Sequence, residues 1–424
     1  LCYGISIQQT RDETVTTPKF EKYMSTLVHI FRGNIGSGLL AMGDAFKNGG
    51  IIFAPIMTVI LGVICVHAQH ILVIKFYFLG GGSYARTVGL VFANGPSRLR
   101  PLTATMTLMV NAFLCITQLG FCCVYIVFIA NNVKMICDHY NIELHLSIHM
   151  TIVVIPIAVS CAVRNLKFLT PFSSIANVLM ALGVSVVLYE ATRDLPHINT
   201  RRYIAPMQQL PLFFGTAIYA FEGIGLVLPL KNEMRQPELF QKPLGVLNVG
   251  MVIVSCIFIV VGFFGYLKWG EDVAGSLTLN LTPGQVLSYV VQALISLAIL
   301  LTYPLQFYVP VDITWPALLK KYGHNSPVVK EMLYRTLLVL LTFVLAQSIP
   351  QLGLFISLVG AVSSTALALI FPPIIELVAA TQTVTGISIP LMIKDSMIIL
   401  LGLFIFITGT YESIGAIVEA FKIK

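Results

Sequence analysis

Gly33-Asn34-Ile35-Gly36-Ser37-Gly38 interrupts an otherwise apolar run from Tyr23 to Met42. Three glycines in six positions weaken a helix by roughly 1 kcal/mol each relative to alanine, so the stretch predicts a helix that breaks. Backbone released by a break inside a bilayer is tolerated only where it is buried in protein or lines a water-filled cavity. The stretch therefore points to a membrane protein with a ligand site built on an interrupted helix.

The rest of the chain agrees. Of its 424 residues 57% are apolar and 11% charged, against about 45–50% and about 25% in soluble domains. Apolar runs of about 20 residues, the length that spans a bilayer as helix, recur throughout. The expected fold is an all-α integral membrane protein with eleven spans, near 22–43, 51–79, 102–130, 147–163, 171–191, 211–230, 245–267, 284–314, 332–348, 352–378 and 392–417.

Basic residues orient it. With residues 1–21 as a cytosolic tail, the inner segments hold 17 Lys and Arg and the outer segments 8, Arg32 lying within the first span. This satisfies the positive-inside rule and puts the C-terminus on the extracellular or luminal side. The net charge of +7 then reflects topology, and no nucleic-acid partner is needed. The polar tail and the long first span argue against a cleaved signal peptide.

Six of the eight cysteines fall within spans, Cys2 lies in the tail and Cys137 in an expected outer loop, so no disulfide joining outer loops is expected. Asn280-Leu281-Thr282 is the one usable glycosylation sequon and also falls in an outer loop. The loop Gly80 to Arg100 carries an apolar patch, Val88 to Phe92, and reads either as a short interfacial helix or as a solvated loop.

A second interruption, Tyr219-Ala220-Phe221-Glu222-Gly223-Ile224-Gly225, falls in the sixth span. Breaks in the first and sixth spans suit two five-helix repeats of opposite orientation, 22–191 and 211–378. Residues 192–210 would be the outer loop between them, and 379–424 an added helix with the C-terminal end.

The chemistry of the two breaks is complementary. A half-helix starting near Ser37 offers the amides of Gly36, Ser37, Gly38 and Leu39 and a positive dipole end, which suits a carboxylate. Carbonyls of Tyr219, Ala220 and Phe221 lose their helical donors at the second break and suit an ammonium group, beside Glu222 and Gly223. Asn34 completes the expected substrate set, and Tyr219, Phe221 or both should limit side-chain room.

Other readings of these residues stay open. The glycines also permit close helix packing, and Glu222 is either functional or a carboxylate bonded to unwound amides. His29 is either a proton carrier or a satisfied buried imidazole. Thr302, Tyr303 and Gln306 either line the path or bond between helices. A phosphate-binding loop is excluded because no Gly-Lys-Ser/Thr follows, and His67 and His70 share a face too poorly for a metal pair. Neither a catalytic cluster nor a cofactor motif is present, so no enzyme activity, cofactor or metal is expected.

Leu27 to Leu40, followed by Lys47-Asn48-Gly49-Gly50, resembles the first-helix signature of the proton-assisted amino acid transporters of the amino acid/auxin permease group. Phe214 to Asn232, Gly275 to Leu281 and Leu305 to Pro310 are similar to that family too. The resemblance covers almost all of the chain after Lys19. It implies the inverted-repeat fold of that superfamily and uptake of small neutral amino acids at the plasma membrane or the lysosome. It also implies coupling to protons rather than sodium, tied to the histidine that matches His29. Members carry an extracellular cysteine pair, whereas Lys268 to Pro283 has no cysteine, which suggests a divergent, invertebrate member.

The expected function is symport by alternating access. A proton-independent facilitator or exchanger of larger substrates, and an amino-acid-sensing receptor, are the alternatives.

Overall fold

The structure is a computed structural model and describes residues 23–79, 82–164, 166–225, 227, 231, 237–322, 327–382 and 386–422. The described residues form helices and connecting turns. The longer ones are α1 (Tyr23–Asn34), α2 (Ser37–Gly49), α3 (Phe53–Leu79), α4 (Tyr84–Ala93), α5 (Thr103–His139), α6 (Leu146–Cys161) and α7 (Leu166–Ala191). After them come α8 (Leu210–Ala220), α9 (Val246–Trp269), α10 (Val286–Tyr322) and α11 (Pro327–Ser348). The last two are α12 (Leu352–Ala380) and α13 (Ile389–Lys422).

Among the described residues seven of these helices, α3, α5, α7, α9, α10, α12 and α13, are long and apolar enough to cross a membrane. The four other expected spans fall on α1 with α2, on α6, on α8 and on α11. Helices satisfy their own backbone groups, which a chain in lipid requires. This is a multi-pass membrane protein.

Both expected breaks are present. At the first, the amide of Ile35 still bonds to Phe31 O at 2.7 Å, Gly36 is non-helical (φ −159°, ψ −146°), and α2 restarts at Ser37. At the second, α8 closes with Phe221 N to Ala217 O at 3.1 Å and Glu222 N to Tyr219 O at 3.3 Å. Phe221 to Gly223 are non-helical, and helix resumes at Ile224.

α2 sits at the centre. Every residue of it except Lys47 is buried, and it packs against α8 and α9. Its charges are paired internally, with Lys47 Nζ 2.9 Å from Asp44 Oδ1 and 2.7 Å from Val273 O. α8 in turn packs on α12, which contains two π-helical turns, Gly360–Ser364 and Ala366–Ile370. A π-turn widens the helix by one residue and is common near functional sites. Here Thr365 Oγ1 bonds five residues back to Gly360 O at 2.9 Å.

The two ends of the bundle are tied differently. At the Gly49 end, the turn after α2 pairs with the segment before α8, through Ile51 N to Arg202 O at 2.8 Å and Ala205 N to Gly49 O at 3.0 Å. Gly50 (φ +94°) must be glycine, since a Cβ would lie 2.7 Å from Tyr203 O. At the other end, Glu331 of α11 accepts from Arg164 at 2.6 and 2.9 Å and from Arg335 at 3.0 Å.

Two local expectations change, and Asn280 is placed in its loop. α5 runs on to His139, so Cys137 lies in its last helical turn and not in a loop. The stretch 84–93 is a helix, capped by Ser83, but its apolar residues Val88, Val91 and Phe92 are buried in protein rather than laid on lipid. Asn280 is half-buried, with Nδ2 bonded to Asp272 O at 2.8 Å and Oδ1 accepting from Ala274 N at 2.9 Å. That amide is committed to holding its loop together.

A Cβ on Gly360 would fall 1.9 Å from Gly215 O. Gly360→Ala is therefore expected to cost about 1–3 kcal/mol by forcing α12 off α8, read as a lower melting temperature of the purified protein. Gly415→Ala, with nothing within 4 Å, is the neutral control.

Candidate functional site

The two breaks meet face to face. Ser37 Oγ and the Tyr219 hydroxyl are 2.9 Å apart. A Cβ on Gly38 would lie 2.7 Å from Ala220 Cα, and one on Gly223 would lie 3.1 Å from the amide atoms of Asn34. Residues 34, 37 and 38 of one break thus oppose 223, 219 and 220 of the other.

Beside this junction lies a small cavity of about 40 Å³. Gly33 to Gly38 form one wall, with Tyr219, Ala220 and Glu222 from the second break. Phe121 and Tyr125 of α5, Ala176, Asn177 and Met180 of α7, and Ile299, Thr302 and Gln306 of α10 complete it.

Its polar groups are of two kinds. The start of α2 has no side-chain cap, so its opening amides, without intrahelical partners, present donors and the positive end of the helix dipole. Such an end receives a carboxylate. The acceptors lie on the other side. Asn34 donates through Nδ2 to Ile30 O at 2.9 Å, which leaves its buried Oδ1 without a partner, as is Glu222 Oε2. Both residues are only 7% exposed, and a buried acceptor left unpaired costs about 1–3 kcal/mol. Acceptors of this kind suit a donor group such as an ammonium.

The expected site residues divide in the structure. Asn34, Gly36, Ser37, Gly38, Tyr219, Ala220 and Glu222 line the cavity. The Leu39 side chain does not; it lines a separate apolar groove with Val28 and Phe31. The Phe221 ring turns outward to Phe258, 5.1 Å between centroids, so Tyr219 alone of the two aromatics faces the ligand space. Gly223 braces Asn34 without reaching the cavity. His29 lies in α1, and its side chain is outside the described residues.

On α10, Thr302 and Gln306 face the cavity, whereas Tyr303 is fully buried and bonds to Thr342 Oγ1 at 2.8 Å. Six wall residues were missed in the sequence: Phe121, Tyr125, Ala176, Asn177, Met180 and Ile299. Tyr125 and Asn177 carried a signal, as polar groups within apolar spans. Phe121 carried none, since only the fold brings its ring edge-on to Tyr219 at 4.7 Å.

The sequence profile of the family described as "Transmembrane amino acid transporter protein" matches residues 21–415. The chain belongs to this family. It is 34% identical over 404 residues to the Drosophila melanogaster "Proton-coupled amino acid transporter-like protein pathetic", covering 94% of this chain and 85% of the fly protein. It is 27% identical over 410 residues to the Caenorhabditis elegans "Probable amino acid transporter skat-1", covering 91% and 88% respectively. The resemblance to a transporter family with divergent invertebrate members therefore holds over most of the chain.

The glycines of the first break separate by role. Gly38 is held by packing against Ala220, while a Cβ on Gly36 would meet nothing within 4 Å. Gly36→Ala is expected to weaken amino acid binding at unchanged melting temperature, because its methyl takes ligand space. Gly38→Ala is expected to lower both. Binding by scintillation proximity and melting by intrinsic fluorescence separate the two.

Proposed function

We propose that the protein is a secondary active transporter of small neutral amino acids, working by alternating access with proton symport. The observation that carries this reading is one cavity with uncapped helix amides on one side and the unpaired acceptors Asn34 Oδ1 and Glu222 Oε2 on the other. The substrate carboxylate takes the amides of Ser37, Gly38 and Leu39. Its ammonium takes Asn34 and Glu222, with the carbonyls of the second break.

Substrate size follows from the rings of Tyr219 and Phe121, which close the side-chain space. Glycine, alanine and proline fit the requirement of two charged ends and little else. His29, in the half-helix leading to the first break, is the proposed proton-coupling residue.

Residues 22–191 and 211–378 are proposed as the two inverted repeats, 192–210 as the loop between them and 379–424 as an added helix and end. Breaks in the first helix of each repeat support this arrangement. The proposed orientation puts the N-terminus in the cytosol, the Gly49 end of the bundle outside or in a lumen, and the protein in the plasma or lysosomal membrane. The relative named as proton-coupled amino acid transporter-like supports the choice of proton over sodium.

Uptake of radiolabelled alanine into proteoliposomes under imposed gradients tests the reading. An inward proton gradient is expected to accelerate uptake and a sodium gradient to have no effect; sodium dependence would contradict it. Glu222→Gln is expected to weaken binding about 10- to 100-fold, the value of one hydrogen bond to a charged group.

A further inference from the structure

Outside the cavity lining, four charged or titratable side chains from three helices converge. Lys394 of α13 donates from Nζ to His67 Nε2 of α3 at 2.7 Å and to Glu376 Oε2 of α12 at 2.7 Å. His67 Nε2 is 3.7 Å from Glu376 Oε2. Asp395, next on α13, is fully buried. Its Oδ1 is 3.2 Å from Lys394 Nζ, yet neither carboxylate oxygen has a hydrogen-bond partner.

Charge does not balance in this cluster. One ammonium faces two carboxylates, which leaves one negative charge uncompensated if the imidazole is neutral. Lys394 has only hydrogens to give, so His67 Nε2, which receives one of them, is an unprotonated acceptor. An isolated buried carboxylate is far costlier than a neutral carboxylic acid.

We propose that Asp395 is a proton-binding site, carrying a proton that neutralises the cluster and lets α13 close against α3 and α12. The proton arrives from water past the part-exposed Lys394 and binds a carboxylate oxygen; no other bond changes. On the orientation proposed above this site opens to the cytosol, so it would couple cytosolic acidity to the grip between these helices, apart from the substrate-coupled proton.

Other titratable groups on the packed helices are engaged elsewhere or stand apart. His70 bonds to Asn248 at 2.7 Å, and the Tyr84 hydroxyl of α4 donates to Leu367 O at 2.8 Å. Cys65, Lys75 and Arg86 have no ion pair or hydrogen bond to the four among the described residues.

Lys394 also argues against a resident metal. The ligand atoms of His67, Glu376 and Asp395 lie within 4.8 Å of one another, a spacing that suits a cation, but the ammonium already fills that position.

Melting of the purified protein from mildly acid to mildly alkaline pH tests the proposal without reference to transport or orientation. The sign is fixed: a proton held more tightly in the folded than in the unfolded protein stabilises at low pH, and that stability is lost as the proton leaves. Asp395→Asn keeps the shape of the neutral acid. Relative to this variant, the wild type is expected to lose about 2–4 °C as pH rises. A parallel slope in both proteins would overturn the proposal.

His67→Gln, which keeps an acceptor for Lys394, is expected to retain the wild-type slope; its loss there would put the proton on His67 instead. Calorimetry with zinc is expected to show no stoichiometric binding, and one-to-one binding abolished by His67→Gln would make this a metal site.

Discussion

The contact between α2 and α8 is the constraint on which the rest of the molecule depends. Two helices stop partway through the bundle, and each leaves backbone groups that lipid cannot satisfy. They are held against each other by the 2.9 Å hydrogen bond between Ser37 and Tyr219 and by a backbone approach at Gly38 and Ala220 that admits no side chain. The surrounding helices shield this junction. α9 covers α2, α12 covers α8, and α5, α7 and α10 supply the remaining walls of the cavity.

That arrangement explains why the site is polar in an otherwise apolar chain. Backbone amides at the head of α2 are fixed in direction by their helix, and Asn34 and Glu222 are fixed by the two breaks. Little reorganisation would then be needed to bind the proposed zwitterionic substrate. The π-turns of α12 lie against the same region of α8, where a Cβ on Gly360 would also come within 2.9 Å of Tyr219 Cβ. A helix with a built-in irregularity beside the junction would suit the proposed change of access.

Much of this was legible in the sequence because it depends on local backbone chemistry. Three glycines near Ser37, and an acid with two glycines after Tyr219, mark helix breaks wherever they occur. The partition among those residues was not legible. Gly36 and Gly38 look alike in sequence, yet one faces open space and the other the backbone of α8. Leu39 and Phe221 share the expected breaks but turn their side chains away, because helical rotation sets the direction. Phe121, and the cluster of His67 with Lys394, 327 residues apart, depend on long-range packing that no local pattern encodes.

The most direct measurement is an experimental structure of the protein with alanine bound. The account predicts the ligand between the two breaks, its carboxylate at the amides of Ser37 to Leu39 and its ammonium between Asn34 and Glu222. Alanine lying outside this cavity, or bound there with its two charged ends reversed, would contradict it.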